Sequence, residues 1–88
     1  MKSSKQLERH LKGVANHRRI DILLLVCKQP GISLQEIADA LKCNFKTISE
    51  HTRRLTQAGL VNKKYQGRKV EHYPSPYGER FKLIFTKF

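Results

Sequence analysis

Residues 33 to 58 carry two short helical patterns separated by only three residues, and after Gly59 the apolar period changes from helical to two. Ser33-Leu34-Gln35-Glu36 has the form of a capping box, with Ile32 and Ile37 placed as a hydrophobic staple around it, so a helix begins at Leu34. Leu34, Ile37, Ala38 and Leu41 give its inner face, and Lys42-Cys43-Asn44 breaks the pattern. Asn44 is the expected N-cap of a second helix, Phe45 to Ala58, with Ile48, Thr52 and Leu55 inward and Gly59 as its stop. Leu60 to Tyr65 and Lys69 to Tyr73 then flank Gln66-Gly67-Arg68, a hairpin whose glycine can take the positive φ of the turn.

On either side of this unit the pattern is helical again. Leu7, Leu11 and Val14 predict a short helix over residues 4 to 15, weakened by Gly13. From about Asn16 to Lys28 the chain is apolar on two sides, Ile20, Leu23, Leu24 and Cys27 on one and Ile22, Leu25 and Val26 on the other, so this helix must be covered twice. Pro30-Gly31 ends it. Ser75 as N-cap and Pro76 at the first position open a last helix with the stripe Tyr77, Phe81, Ile84, Phe85 and Phe88. The expected architecture is mainly α with a small β-hairpin, in the order α-α-α-turn-α-β-β-α of a winged helix-turn-helix. It is one domain over residues 1–88: an N-terminal helix in 1–15, the helix-turn-helix in 33–58, the wing in 60–73 and a C-terminal helix in 75–88.

With 18 Lys and Arg against 7 Asp and Glu, the 88 residues carry a formal charge of +11, which points to an anionic partner. Residues 1 to 28 hold seven basic residues against Glu8 and Asp21, and residues 46 to 73 hold seven against Glu50 and Glu71. The segment between them is slightly acidic and reads as scaffold. With Ile48 at the centre of the buried face, a rotation of about 100° per residue turns Lys46, Glu50, Arg53 and Gln57 outward, flanked by Thr47, Ser49 and Arg54. A polar helical face of this width fits the major groove of duplex DNA. Lys46 and Thr47 stand in the first turn, where base or phosphate contacts arise, and Arg53 and Arg54 lie where phosphates run. Glu50 either accepts from a cytosine amino group or is neutralised by Lys46 or Arg54. Lys63, Lys64, Arg68 and Lys69 make a cationic wing that lies along a phosphate strand or puts Arg68 into the minor groove.

These residues resemble the arsenical-repressor (ArsR-type) winged-helix transcriptional regulators, with a similar match to the MarR-type arrangement, over about 63 positions from Asn16 to Gly78. The resemblance is carried by Arg19-Ile20-Asp21-Ile22-Leu23, by Ser33 to Leu41, by Thr47 to Leu55 with Ala58-Gly59-Leu60-Val61, by Gly67-Arg68-Lys69-Val70, and by Ser75-Pro76-Tyr77-Gly78. It implies DNA contacts from Lys46, Thr47, Ser49, Glu50 and His51, and a wing contact from Arg68. It also implies that the two terminal helices form a dimer interface, here through Leu7, Leu11, Val14, Tyr77, Phe81, Phe85 and Phe88. The alternative is that both stripes cover the apolar second helix in a monomer. The chain departs from the family pattern at Thr52, where leucine is usual, at Phe45, where a polar residue is usual, and at Glu50, which is often basic.

The family's founding members hold metals with paired cysteines on the first motif helix or with carboxylate and imidazole ligands on the last. Here the first place reads Ser33-Leu34-Gln35-Glu36, the last helix has no His or Asp, and His10, His17, His51 and His72 show no paired ligand spacing. No metal and no cofactor is expected. Nor is an enzyme: the sequence has no nucleophile beside a base and no phosphate-cradling glycine loop. The longest apolar run, Ile22 to Cys27, is far short of the roughly 20 residues that span a membrane. A cytoplasmic, nucleoid-associated protein with Cys27 and Cys43 as buried thiols is expected. The predicted function is a sequence-specific regulator, a repressor, bound to double-stranded DNA as a homodimer. The alternative is a winged-helix protein-interaction or RNA-binding module, which would show little salt dependence toward duplex DNA.

Overall fold

A computed structural model, which describes residues 2–88, places the most apolar helix of the sequence at the centre of the packing. The order is α1 (Ser4–Val14), α2 (His17–Lys28), α3 (Leu34–Leu41), α4 (Phe45–Gln57), β1 (Val61–Gln66), β2 (Lys69–Pro74) and α5 (Pro76–Phe85). Helix α2 packs against all four other helices and β2. Its Ile22, Leu23 and Val26 are fully buried against Ile37, Ile48, Leu55, Leu60 and Val61. Each such side chain contributes about 1.5–3 kcal/mol when removed from water, so this cluster is the main term holding the helix-turn-helix in place. The predicted two-sided covering of α2 holds, and the fold is the expected winged helix-turn-helix.

Local chemistry sets the element boundaries. Ser33 accepts from Glu36 N while the Glu36 carboxylate accepts from Ser33 N, closing the expected box, and a second box of the same form joins Ser3 and Gln6. The Glu36 carboxyl is held below its usual range by the Ser33 backbone N–H. Asn16, Asn44 and Ser75 cap α2, α4 and α5. The turn between α3 and α4 is made by Lys42 in the left-handed region, φ 52°, its N–H returning to the Ala38 carbonyl.

Several details depart from the sequence expectation. The hairpin is tighter: Gln66 pairs with Lys69, leaving only Gly67 and Arg68 in the loop, with glycine at φ 61° in its first position. Helices α1, α4 and α5 end at Val14, Gln57 and Phe85, so Phe88 lies beyond the last helix and is fully exposed. Val14, expected on the dimer stripe, is instead buried in the chain's own core. Tyr77, Phe81 and Phe85 are half-covered against that core, and the open apolar side of α5 is carried by Leu83 and Ile84.

One pairing was not foreseen. Ile32 bridges to β2 at His72, with His72 N donating to the Ile32 carbonyl at 3.0 Å and Gly31 N to the His72 carbonyl at 2.8 Å. The root of the wing is thereby fastened to the turn before α3. His72 is fully buried, its Nδ1–H donates to the Ile32 carbonyl at 2.9 Å, and its Nε2 has no partner among the described residues. Burial pushes its pKa below the ordinary 6.5, outweighing the opposing effect of the Ile32 bond. A base depressed in the folded state contributes stability above its unfolded pKa and loses it as pH falls through the folded value. The thermal midpoint should therefore drop below about pH 6.5 more steeply for the native chain than for His72→Gln, measured by circular dichroism from pH 8 to 5. Parallel pH profiles would refute this role.

Candidate nucleic-acid interface

The N-cap of Asn44, whose side chain accepts from Lys46 N at 2.8 Å and Thr47 N at 3.3 Å, fixes the start of α4 and so the angle at which its outer face leaves the protein. Ile48, Thr52 and Leu55 are buried beneath it. Lys46, Thr47, Glu50, Arg53, Arg54 and Gln57 are exposed together on the opposite side, with Ser49 half-buried at its flank. Thr52 fills a core position, and its hydroxyl has no partner among the described residues.

Glu50 lies in a fork. Arg53 reaches it at 2.6 and 3.2 Å and Arg54 at 3.3 Å, which holds its carboxyl below the usual range, with the Arg53 bond the largest cause. Neutralisation thus comes from Arg53 and Arg54, whereas Lys46, the other partner considered, lies outside the pair. All three side chains are about half exposed, so the fork adds little stability. What it does is cancel a negative charge on a face otherwise cationic.

His51 lies apart from this face. It is half-buried and its Nδ1 accepts from Arg19 Nε at 3.2 Å, while Arg19 Nη1 donates to the carbonyls of Lys12 and Gly13. Burial, and then the Arg19 charge, hold its pKa down. Its bond to Arg19 ties α4 to α2 and, through Arg19, to the end of α1.

Beyond Val61 the hairpin stands clear of the body, and residues 62–69 are all exposed. Lys63, Lys64 and Arg68 make no ion pair among the described residues, and Lys69 approaches Glu36 of α3 at 3.9 Å. The wing is thus anchored at its root by His72 and braced by Lys69, with its cations open to solvent.

Two exposed aromatic residues were missed by sequence reasoning. Phe45, 48% exposed, opens α4 beside Lys46, and Tyr65, 71% exposed, stands on the wing beside Lys64. A signal existed for both. Phe45 is the first residue after the cap, with no preceding turn to cover it, and Tyr65 lies within two residues of a hairpin tip that has no core beneath it.

The other expected features sit elsewhere. Among the described residues no three His, Cys, Asp or Glu side chains converge as a metal site. The Cys27 thiol is pushed up to about 11 by burial, and Cys27 and Cys43 are unpaired thiols. Between α1 and α5 an open groove of about 480 Å³ is lined by Leu7, Leu11, Tyr77, Phe81 and Ile84. No helix among the described residues is long and apolar enough to cross a membrane.

Known proteins share this arrangement. The sequence profile of the bacterial regulatory proteins of the arsR family matches residues 16–63, which run from the cap of α2 into the wing. HlyU from Vibrio cholerae N16961 superposes with a TM-score of 0.86 at 25% identity, over 96% of this chain and 91% of that one. The homodimeric winged helix-turn-helix DNA-binding domain of Mb0332 from Mycobacterium bovis, a possible ArsR-family transcriptional regulator, gives 0.84 at 26% identity over 98% and 85%. A MarR protein from Peptoclostridium difficile gives 0.75 at 25% identity over 78% of this chain and 47% of that protein. No curated protein matches at a significant level.

Proposed function

This chain belongs to the arsR family of bacterial regulatory proteins, and from that premise we propose that it represses transcription as a homodimer that reads double-stranded DNA with α4 and grips it with the wing. Its family and fold are those of DNA-binding transcriptional regulators, and we read the whole of residues 1–88 as one such domain, acting by binding rather than catalysis on nucleoid DNA in the cytoplasm.

The observation that carries the reading is the shared exposure of Lys46, Thr47, Arg53 and Arg54 on α4 together with Lys63, Lys64, Arg68 and Lys69 on the wing. In this reading Lys46, Thr47, Ser49 and Glu50 meet base edges or the phosphates beside them, and Arg53 and Arg54 bind phosphates. His51 supports the helix from behind through Arg19. Phe45 adds an apolar contact of the kind that recognises a thymine methyl. Two copies joined along the groove between α1 and α5 would present recognition helices about 34 Å apart, matching a palindromic site. Repression then follows by steric exclusion of the transcription machinery.

Gel shifts with duplex DNA across salt test this. Contact with six phosphates predicts a log-log slope of roughly −5. Lys64→Ala or Arg68→Ala should weaken all duplexes nearly alike, whereas Thr47→Ala should change the preference among sites. Selection on random duplexes should return a palindrome; a native chain that selects no site is a nonspecific binder, and one with a flat salt response is an interaction module.

A further inference from the structure

Residues 1 to 28 carry seven Lys and Arg, and the face formed by α4 and the wing uses none of them. Three of the seven meet Arg54 in one place. A cleft of about 230 Å³ opens between the second half of α1, the start of α2 and the last turns of α4, lined by Arg9, Lys12, Arg19, Arg54 and Gln57, with no carboxylate in its wall. Two of the cleft's cations approach acids outside its wall: Glu8 lies 3.9 Å from Lys12, and Glu50 is divided between Arg53 and Arg54.

The walls are fixed by packing. A Cβ built on Gly13 would overlap the Ala58 Cβ, so only glycine lets α1 lie this close to the end of α4. His10 Nδ1–H donates to the Ala58 carbonyl at 2.7 Å and holds the same contact from the next turn. Arg19 is oriented by neutral acceptors only, the His51 imidazole and the carbonyls of Lys12 and Gly13. Its guanidinium is therefore set in place with its full charge uncompensated, and those bonds occupy Nε and Nη1, leaving Nη2. A pre-oriented arginine beside further cations suits the tetrahedral oxygens of a phosphate group.

We propose that this cleft is a phosphate-binding site that takes a backbone phosphate of the bound duplex, extending the contact surface from α4 onto α1 and the start of α2. The inference rests on the DNA-binding reading above. Arg54 supplies the continuity, since it belongs both to the outer face of α4 and to the wall of the cleft. The same chemistry would accept free inorganic phosphate, and the experiment separates the two sources.

The test uses the full chain with Arg9→Ala and Lys12→Ala combined, both at exposed positions, after checking that its thermal midpoint matches the native one. Loss of that one phosphate contact should make the log-log salt slope on mixed-sequence duplex shallower by about 1 and weaken binding roughly 10-fold at 0.15 M salt. Lys82→Ala with Lys87→Ala removes the same charge from α5 and its end and should leave the slope near the native value. In parallel, inorganic phosphate is titrated at constant ionic strength while the amide NMR signals of Gly13 and Arg19 are followed. A native-like slope in the cleft variant, with saturable phosphate shifts that the variant loses, makes the occupant a free anion and overturns the DNA assignment. A native-like slope with no saturable shifts overturns the site altogether. If the native chain binds no duplex, the underlying reading fails and takes this one with it; a steep native slope that the cleft variant retains defeats this inference alone.

Discussion

Gly78→Ala is expected to lower the thermal midpoint by roughly 8–16 °C, although Gly78 lies inside a helix, where alanine is ordinarily favoured over glycine by about 1 kcal/mol. The sign is decided by what surrounds the position. A Cβ there would overlap the Leu60 carbonyl oxygen, meet Leu23 Cδ1 at 3.2 Å and press on Leu60 C at 3.3 Å. That carbonyl also accepts from Ser75 N at 3.0 Å, and the Ser75 hydroxyl donates to the Gly59 carbonyl at 2.6 Å and accepts from Gly78 N at 3.0 Å. The added methyl thus opposes backbone that is itself bonded, and a flexible side chain cannot yield in its place. Overpacking of this kind costs about 3 kcal/mol, which exceeds the propensity gain and leaves a net loss of about 2 kcal/mol. Differential scanning calorimetry checks it; a midpoint equal to or above the native one would mean that α5 shifts along α2 without penalty.

The same junction shows where sequence reasoning reaches its limit. Ser75 and Pro76 mark the start of α5 because capping depends on residues two or three apart, and the box at Ser33 and Glu36 and the cap at Asn44 were legible for the same reason. The outer face of α4 followed from rotation about Ile48, and its exposure agrees at Lys46, Thr47, Glu50, Arg53, Arg54 and Gln57. What could not be read was any contact between residues distant in the chain. The Ile32 and His72 bridge spans 40 residues, and the Arg19 and His51 bond spans 32, so no local pattern encodes either. Val14 and Leu11 share one helical stripe, yet Val14 is covered by the chain's own core while Leu11 is not, because α1 crosses the body at its C-terminal end only. Seven basic residues in the first 28 were visible as charge; that Arg9, Lys12 and Arg19 line one cleft with Arg54 depends on how α1 lands on Ala58.

Leu11→Glu is the substitution with the largest expected effect on DNA binding. Leu11 is 55% exposed, so a carboxylate there costs the isolated fold little, and the variant should melt within a few degrees of the native chain. In the proposed dimer the same carboxylate would be buried against its symmetry copy, because a two-fold interface brings each patch against itself. Neighbouring Leu7 and Ile84, with Tyr77 and Phe81 behind them, supply no hydrogen-bond donor strong enough to hold that charge out of water. Lys2 and Arg80 also line the groove, their cations over the Tyr77 ring at 4.1 and 5.3 Å. Pairing with the new carboxylate would draw them off that ring and carry further charge into the apolar contact. The variant should therefore sediment as a monomer where the native chain sediments as a dimer. Each monomer keeps its own α4 and wing, so affinity for a half-site should stay near native, while affinity for the full palindrome should fall about 10²- to 10⁴-fold with loss of the linked second contact. That split separates a lost interface from a damaged reading head. A variant that remains a dimer at tens of micromolar would place the interface elsewhere, and equal losses on half-site and palindrome would locate the damage in the DNA-binding surface itself.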